Sequence, residues 1–397
     1  MQIARRIGRL GTETAFEVLA EVNRLKAQGQ DIISFAIGEP DFDTPQNIKD
    51  AAIKALGDGY THYSPSAGIL PLREVIARYI SKTRGVEVEP EEVVVTPGAK
   101  PILLDSILSC VNEGDKVIYP NPGFPIYESV INFMGAKPVP LPLLEERNFR
   151  FDPENLRMSI TPETRMIIIN SPQNPTGGIL THDDLEAIAR IAIQKDLWVL
   201  SDEIYSRMVY EGEFRSIVSI PGMKERTILL DGFSKTYAMT GWRLGFGIMR
   251  KELAVHVARI ETNSNSCTAT FTQYAGVEAL EGPQEDSLAM IAEFERRRDL
   301  IYQGLNDIEG IKCVKPKGAF YIYPNVTEAC RNLGLSDSKE LQQHLLHKGG
   351  VAVLARSCFG QRCEGEKEEY VRLSYATSRE NIVEGLGRIK RAIESRF

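Results

Sequence analysis

The chain is poor in histidine and cysteine, with five of one and six of the other in 397 residues. Cys110, Cys267, Cys313, Cys330, Cys358 and Cys363 form no Cys-x-x-Cys pair and no framework of the kind that staples small secreted domains. They read as reduced thiols of a cytoplasmic protein. Cys358 and Cys363 have no histidine nearby, and His344 and His347 share a helix face with no third ligand, so no metal site is expected. There is no excess of basic side chains. The 47 Lys and Arg against 54 Asp and Glu give a net charge of −7, which argues against nucleic acid as the main partner. No apolar run approaches the ~18–20 residues of a membrane-spanning helix. The arginines near Met1 have no apolar stretch behind them, unlike a secretory signal, and Glu13, Glu17 and Glu21 follow, unlike a transit peptide. Glycine (32) and proline (21) are near average, which removes collagen-like and low-complexity readings. A chain of this length buries enough surface to need neither disulfide nor metal.

What is present is an alternation of strand and helix patterns. Val93-Val94-Val95, Lys116 to Tyr119, Met166 to Ile169, Leu197 to Leu200 and Thr227 to Leu230 are short apolar runs rich in β-branched residues. Each is bounded by Pro, Gly, Asn or Asp. Such runs read as strands buried on both faces, hence a mainly parallel sheet. Helical periods lie between them, from Ile102 to Val111 and from Asp183 to Ile193, the second opened by Thr181 as N-cap. Right-handed crossovers put helices on both faces of such a sheet. Toward the ends the pattern changes. A helix from about 12 to 28 precedes the strand-like Ile32 to Phe35. A long charged helix from about 284 to 305 is followed by an antiparallel-looking set, Gly318 to Tyr323, Val351 to Leu354 and Tyr370 to Ser374, and by a last helix from 380 to 396. The expected class is α/β: a large domain, 46–289, with a mainly parallel sheet sandwiched by helices. A smaller α+β domain is built from both termini, 1–45 and 290–397.

In an open parallel sheet, ligands bind beyond the carboxyl ends of the strands. After Val95 comes Thr96-Pro97-Gly98-Ala99-Lys100. After Ile169 comes Asn170 to Gly177, after Leu200 comes Ser201-Asp202-Glu203-Ile204-Tyr205, and after Leu230 comes Asp231 to Lys235, with Arg243 beyond. Taken singly, Gly98 is a turn, Arg243 a surface charge and Lys235 a solvated lysine. Four such strand ends together read as one site. A helix start after Gly98-Ala99, the Ser234 hydroxyl and the Arg243 guanidinium suit a phosphate. A desolvated Lys235 suits imine formation, and Asp202 suits a ring nitrogen. That inventory fits pyridoxal phosphate, whose ring takes up the electrons of a Cα carbanion.

The segments Gly38-Glu39-Pro40-Asp41-Phe42, Asn174-Pro175-Thr176-Gly177, Ser201 to Tyr205, Ser234 to Gly245 and Arg372-Leu373-Ser374-Tyr375-Ala376 resemble those of the class I aminotransferases of the aspartate aminotransferase superfamily. The resemblance covers about residues 30 to 385, with five motifs in the family's order. It implies a fold-type I, pyridoxal-phosphate-dependent enzyme. Such an enzyme moves an amino group from an L-amino acid to a 2-oxo acid by a ping-pong cycle through the pyridoxamine form. Motif by motif, it implies that Lys235 is the imine-forming lysine and proton shuttle, and Asp202 the partner of the pyridine nitrogen. Tyr205 and Asn174 donate to the ring's phenolate oxygen, Asn174 also reaching the substrate carboxylate. Arg372 grips the α-carboxylate under the Gly38 backbone. Ala99, Lys100, Ser234 and Arg243 form the phosphate cup. Phe124 falls where many relatives stack a tryptophan on the ring. Tyr63 resembles a tyrosine given to the phosphate by a neighbouring subunit, so a homodimer with shared active sites is implied.

Substrate preference follows from Lys100 and two departures. In acidic-substrate relatives with a similar Gly-small-Lys segment, the lysine meets the distal carboxylate. Lys100 could equally do no more than balance the phosphate. Arg356, in Ala355-Arg356-Ser357-Cys358-Phe359-Gly360, stands where relatives often have Pro-Gly, and is expected to add a second cation on closure. Gly11 lies where some acidic-substrate relatives carry a lysine, which weighs against the bulkiest dicarboxylates. Aspartate or glutamate is the expected donor and 2-oxoglutarate the acceptor, with aromatic amino acids weaker. The rival reading on the same fold is a pyridoxal-phosphate-dependent β-lyase or decarboxylase. A nicotinamide enzyme is disfavoured, because Gly241-x-x-x-Gly245-x-Gly247 is a poor dinucleotide fingerprint.

Overall fold

The apolar runs of the middle of the chain become strands of one sheet. The computed structural model describes residues 1–394. Its strands are β1 (Ile33–Ser34), β2 (Val93–Thr96), β3 (Lys116–Asn121), β4 (Lys137–Leu144), β5 (Arg150–Phe151), β6 (Thr164–Asn170), β7 (Trp198–Asp202), β8 (Thr227–Gly232), β9 (Gly245–Ile248), β10 (Tyr321–Ile322), β11 (Val351–Ala352), β12 (Leu354–Ala355) and β13 (Val371–Ser374). Eight of them form a sheet in the order β2-β9-β8-β7-β6-β3-β4-β5. The run β4-β3-β6-β7-β8 is parallel throughout, with Asn170 beside Asp202 at the carboxyl edge. The class is therefore α/β with a mixed, mostly parallel sheet. Helices flank it, and the one at His182–Lys195 opens with a capping box between Thr181 and Asp184.

Three strands of this sheet, β4, β5 and β9, are not evident from apolar runs. β9 contains two glycines but is held antiparallel between β8 and β2, with Gly245 opposite both Gly232 and Thr96. β4 has proline at 138, 140 and 142. Lys137 N donates to Asp115 O at 2.8 Å on the β3 side, so alternate residues 138, 140 and 142 direct their missing N–H away from β3.

A buried cation braces the carboxyl edge. The helix Leu70–Arg84 ends at Gly85 in the left-handed region, and its last side chain, Arg84, turns inward. Arg84 reaches Glu203 at 2.8 Å and Asp231 at 3.0 Å, one residue past β7 and within β8.

The segments near the termini differ from expectation in one respect. Val351 to Leu354 is not a single antiparallel strand. Val351–Ala352 pairs in parallel with Ile33–Ser34, and only Leu354–Ala355 joins the antiparallel set β10-β13-β12. One run serves two sheets because Val353 lets the chain change partners while all four side chains stay buried. The helix Arg379–Glu394 matches the expected last helix, whose final two residues lie outside the described ones.

Candidate active site

At the carboxyl edge of the large sheet lies a cavity of about 540 Å³. Gly38, Ala99, Lys100, Phe124, Asn174, Asp202, Tyr205, Ser234, Lys235, Arg243 and Arg372 all line it, which is every expected site residue except Tyr63 and Arg356. The sheet explains the convergence. Parallel strands end along one edge, and β2, β6, β7 and β8 each release a polar segment there.

Asp202 closes β7 and is buried. Tyr127 donates to its Oδ2 at 2.6 Å and Ile204 N to its Oδ1 at 3.3 Å. Burial pushes the Asp202 carboxyl up to about 6, and the Tyr127 bond opposes that shift. Asn170, at the end of β6, ties two loops together: its Nδ2 donates to Asp202 O at 3.1 Å and its Oδ1 accepts from Asn174 N at 2.9 Å.

Lys235 follows β8. Its Nζ donates to Gly38 O at 2.7 Å and stands 5.7 Å from the Phe320 ring centre and 6.0 Å from that of Tyr205. Burial lowers its pKa to about 8. Glu39 and Glu13 oppose the shift, and Arg372 and Lys100 add to it. Only glycine brings the backbone so close at position 38, because a Cβ there would lie 2.0 Å from the Tyr321 hydroxyl. That hydroxyl bonds the Tyr205 hydroxyl at 2.7 Å, and burial lifts Tyr205 well above the ordinary phenol range.

Arg372, on β13, is buried and offers a half-used fork. Its Nη1 donates to Asn174 Oδ1 at 3.0 Å and its Nη2 to Ala36 O, while its Nε is buried without a partner among the described residues. An unmet buried donor costs about 1–3 kcal/mol, which a ligand carboxylate would remove.

Other lining residues of the cavity carry donors suited to a phosphate. The helix Lys100–Cys110 starts at Ala99 with its first N–H groups free of intrahelical partners. Gly98 precedes it at φ +87°, and a Cβ there would meet Arg243 Nη2 at 2.2 Å. Arg243 is itself left-handed at φ 55°, with Nη1 held by Thr240 O at 2.7 Å. A non-glycine residue in that region is uncommon and fits a positioned functional group. Ser234 completes the set. The helix start, the hydroxyl, the guanidinium, the buried amine and the unmet Arg372 donor fit the kind of cofactor and carboxylate ligand expected from the sequence.

Two expected side chains lie elsewhere. Arg356 does not reach the cavity. Its guanidinium is buried between Glu366, at 2.5 and 2.9 Å, and Asn121 Oδ1 at 2.6 Å, and it also donates to Gly360 O at 3.0 Å. It is consumed in holding its own loop to β3, so it is not a second cation for substrate. Tyr63 is 90 % exposed on a loop outside the cavity. The loop is fixed there by Thr270 Oγ1 donating to His62 O at 2.8 Å and by Thr262 Oγ1 to Ser66 Oγ at 2.8 Å. Lys100 does line the cavity, but its Nζ is paired with Glu13 and lies 5.4 Å from the Phe124 ring centre and 5.9 Å from that of Phe16.

Among the cavity residues not anticipated are Tyr127, Tyr321, Glu13 and Phe16. Tyr127 had a signal, since it follows Phe124 by three positions at the start of a helix. The two rings meet edge to face at 5.7 Å.

Residues 30–389 match the family model for aminotransferases of class I and II. The chain is 43 % identical to the aromatic-amino-acid aminotransferase 2 of Thermococcus litoralis, over 93 % of this chain and 94 % of that one. It is 38 % identical to the aspartate aminotransferase of Bacillus subtilis, over 99 % of both. Among solved structures, the aspartate aminotransferase of Thermus thermophilus with maleate superposes with a TM-score of 0.92 at 37 % identity, over 99 % of this chain and 100 % of that one.

Proposed function

The chain belongs to the class I and II aminotransferases, and from that membership we propose that it works with pyridoxal phosphate, taking aspartate or glutamate as preferred donor and 2-oxoglutarate as acceptor. It is an enzyme of the transferase type. The observation that carries the cofactor reading is the one cavity that holds the Lys235 amine, the Asp202 carboxyl and the half-used Arg372 fork.

When bound, the cofactor supplies an aldehyde for the amino group and a ring that accepts the electrons left at Cα. The chain does the rest. Ala99, Ser234, Arg243 and the helix start would hold the phosphate, Phe124 would stack on the ring, and Tyr205 and Asn174 would donate to its phenolate oxygen. Asp202, steadied by Tyr127, would hold a proton at the ring nitrogen. Arg372 and Asn174 take the α-carboxylate beside the Gly38 backbone and so orient the Cα–H bond. Lys235 then moves the proton from Cα through Nζ, and a pKa near 8 leaves a useful share of free amine at neutral pH. The buried floor keeps water from competing.

The substrate reading rests on Lys100. An uncompensated buried carboxylate is strongly rejected, and Lys100 is the cation lining the cavity near Phe124. The names of the relatives support both dicarboxylic and aromatic donors. The test is kcat/KM for aspartate, alanine and phenylalanine in wild type and Lys100→Ala. A selective loss of about 10-fold or more for aspartate matches one lost charge-assisted bond. An equal loss for all three would return Lys100 to a cofactor role.

The same reading includes a cytoplasmic homodimer, supported by six free thiols and by the outward Tyr63. Exposed Leu104, Leu108 and Val255 add apolar surface on two helices. A fully active monomer in sedimentation would contradict it. The domain division at 46–289 remains part of this proposal, supported by the large sheet lying wholly between Val93 and Ile248.

A further inference from the structure

Glu13 stands at the N-cap of the helix Thr14–Ala27, yet its side chain makes no capping bond. It turns into the cavity and pairs with Lys100 Nζ. The Glu13 side chain is 14 % exposed and that of Lys100 47 %, so the carboxylate end of the pair is the buried one. The Phe16 and Phe124 rings lie within 6 Å of the same ammonium. The segment that carries Glu13 is lightly held. Residues 1–12 are exposed, and the chain just before Glu13 is tied down by Gly11 N donating to Ser129 Oγ at 2.9 Å and by Arg9 to Phe133 O at 3.3 Å.

These positions set two substrate classes against each other. A dicarboxylic substrate needs Lys100 for its distal carboxylate, and Glu13 already holds that partner. Its carboxylate must displace Glu13, and the light tethering of the segment lets it move. An aromatic side chain needs no cation. It can lie beside the Phe16 and Phe124 rings while the Glu13–Lys100 pair stays intact and the ammonium stays neutralised.

We propose that Glu13 is a specificity-determining residue, an internal carboxylate that competes with dicarboxylic substrates for Lys100 and admits aromatic ones by keeping Lys100 paired. This rests on the reading of Lys100 as the distal-carboxylate partner. It extends that reading, because affinity for aspartate is then set by a displacement and not by Lys100 alone.

The test uses the cofactor-loaded enzyme. Glu13→Gln keeps the size of the side chain and removes its charge. The expected result is a KM for aspartate and 2-oxoglutarate lower by about 10-fold, kcat for aspartate little changed, and phenylalanine kcat/KM lower. Calorimetry gives a second readout without turnover: maleate should bind Glu13→Gln about 10-fold tighter, and 3-phenylpropionate no tighter. In the Lys100→Ala background, Glu13→Gln should leave dicarboxylate values unmoved. If Lys100→Ala is selective for dicarboxylates but Glu13→Gln shifts aspartate and phenylalanine alike, or leaves maleate affinity unchanged, the role of Glu13 is overturned while that of Lys100 stands. If Lys100→Ala weakens all substrates equally, the Lys100 reading fails and the role of Glu13 with it.

Discussion

The Tyr127 hydroxyl donates to Asp202 Oδ2 across 2.6 Å, from the helix Ile126–Phe133 to the end of β7. The bond opposes the upward push of burial on the Asp202 carboxyl. Tyr127→Phe should therefore raise the Asp202 pKa above about 6 and move the acid limb of the kcat–pH profile to higher pH. A bond to a charged group contributes about 1.5–3 kcal/mol, so kcat at neutral pH should fall about 10-fold or more. An unshifted acid limb in that variant would show that Tyr127 does not tune Asp202.

Arg84 carries a prediction about stability. It sits 3 % exposed between Glu203 and Asp231. Arg84→Ala leaves two buried carboxylates without their cation, a change that costs about 3–5 kcal/mol. Denaturant unfolding should show a lower midpoint, and cofactor affinity should weaken with it, because Asp202 and Ser234 border the braced segments. A loss under 1 kcal/mol would mean that the three groups are not mutually dependent.

A second buried pair predicts a pH dependence. Asp105 lies beside Glu261, both buried, and burial together with the facing carboxylate pushes Asp105 up to about 8. A carboxyl whose folded pKa is raised contributes stability that is fully present below its unfolded pKa, near 4. That contribution is lost as pH rises toward about 8. Asp202 is raised as well, so the quantity to measure is the difference between wild type and Asp105→Asn. Wild type should lose stability relative to the variant between pH 5 and pH 8. Parallel stability curves would contradict a shared proton at this pair.

Much of the site can be read from sequence because a parallel sheet writes its chemistry at strand ends. Asn174, Asp202, Ser234 and Lys235 each follow an apolar run, and the runs are continuous because both faces are buried. What could not be read depends on approaches between distant segments. Tyr127 is one of 14 tyrosines, and only the fold sets it against a residue 75 positions away. Glu13 and Lys100 are 87 positions apart, and their pairing needs the first helix docked over the cavity. β9 hides behind Gly245 and Gly247, since its strand form is imposed by β2 and β8 and not by its own composition. Arg356 misled for a local reason: Glu366, ten residues on, folds back to claim its guanidinium. Its cationic character was correct and its direction was not.

The central claim is that Lys235 bonds the cofactor and moves the proton. The direct measurement is borohydride reduction of the pyridoxal-phosphate-loaded protein, followed by digestion and mass spectrometry of the lysine peptides. The account predicts one phosphopyridoxyl group, on the peptide containing Lys235, and none when an excess of aspartate has first converted the cofactor. A label on any other lysine, or a Lys235→Ala variant that still labels and turns over, would contradict it.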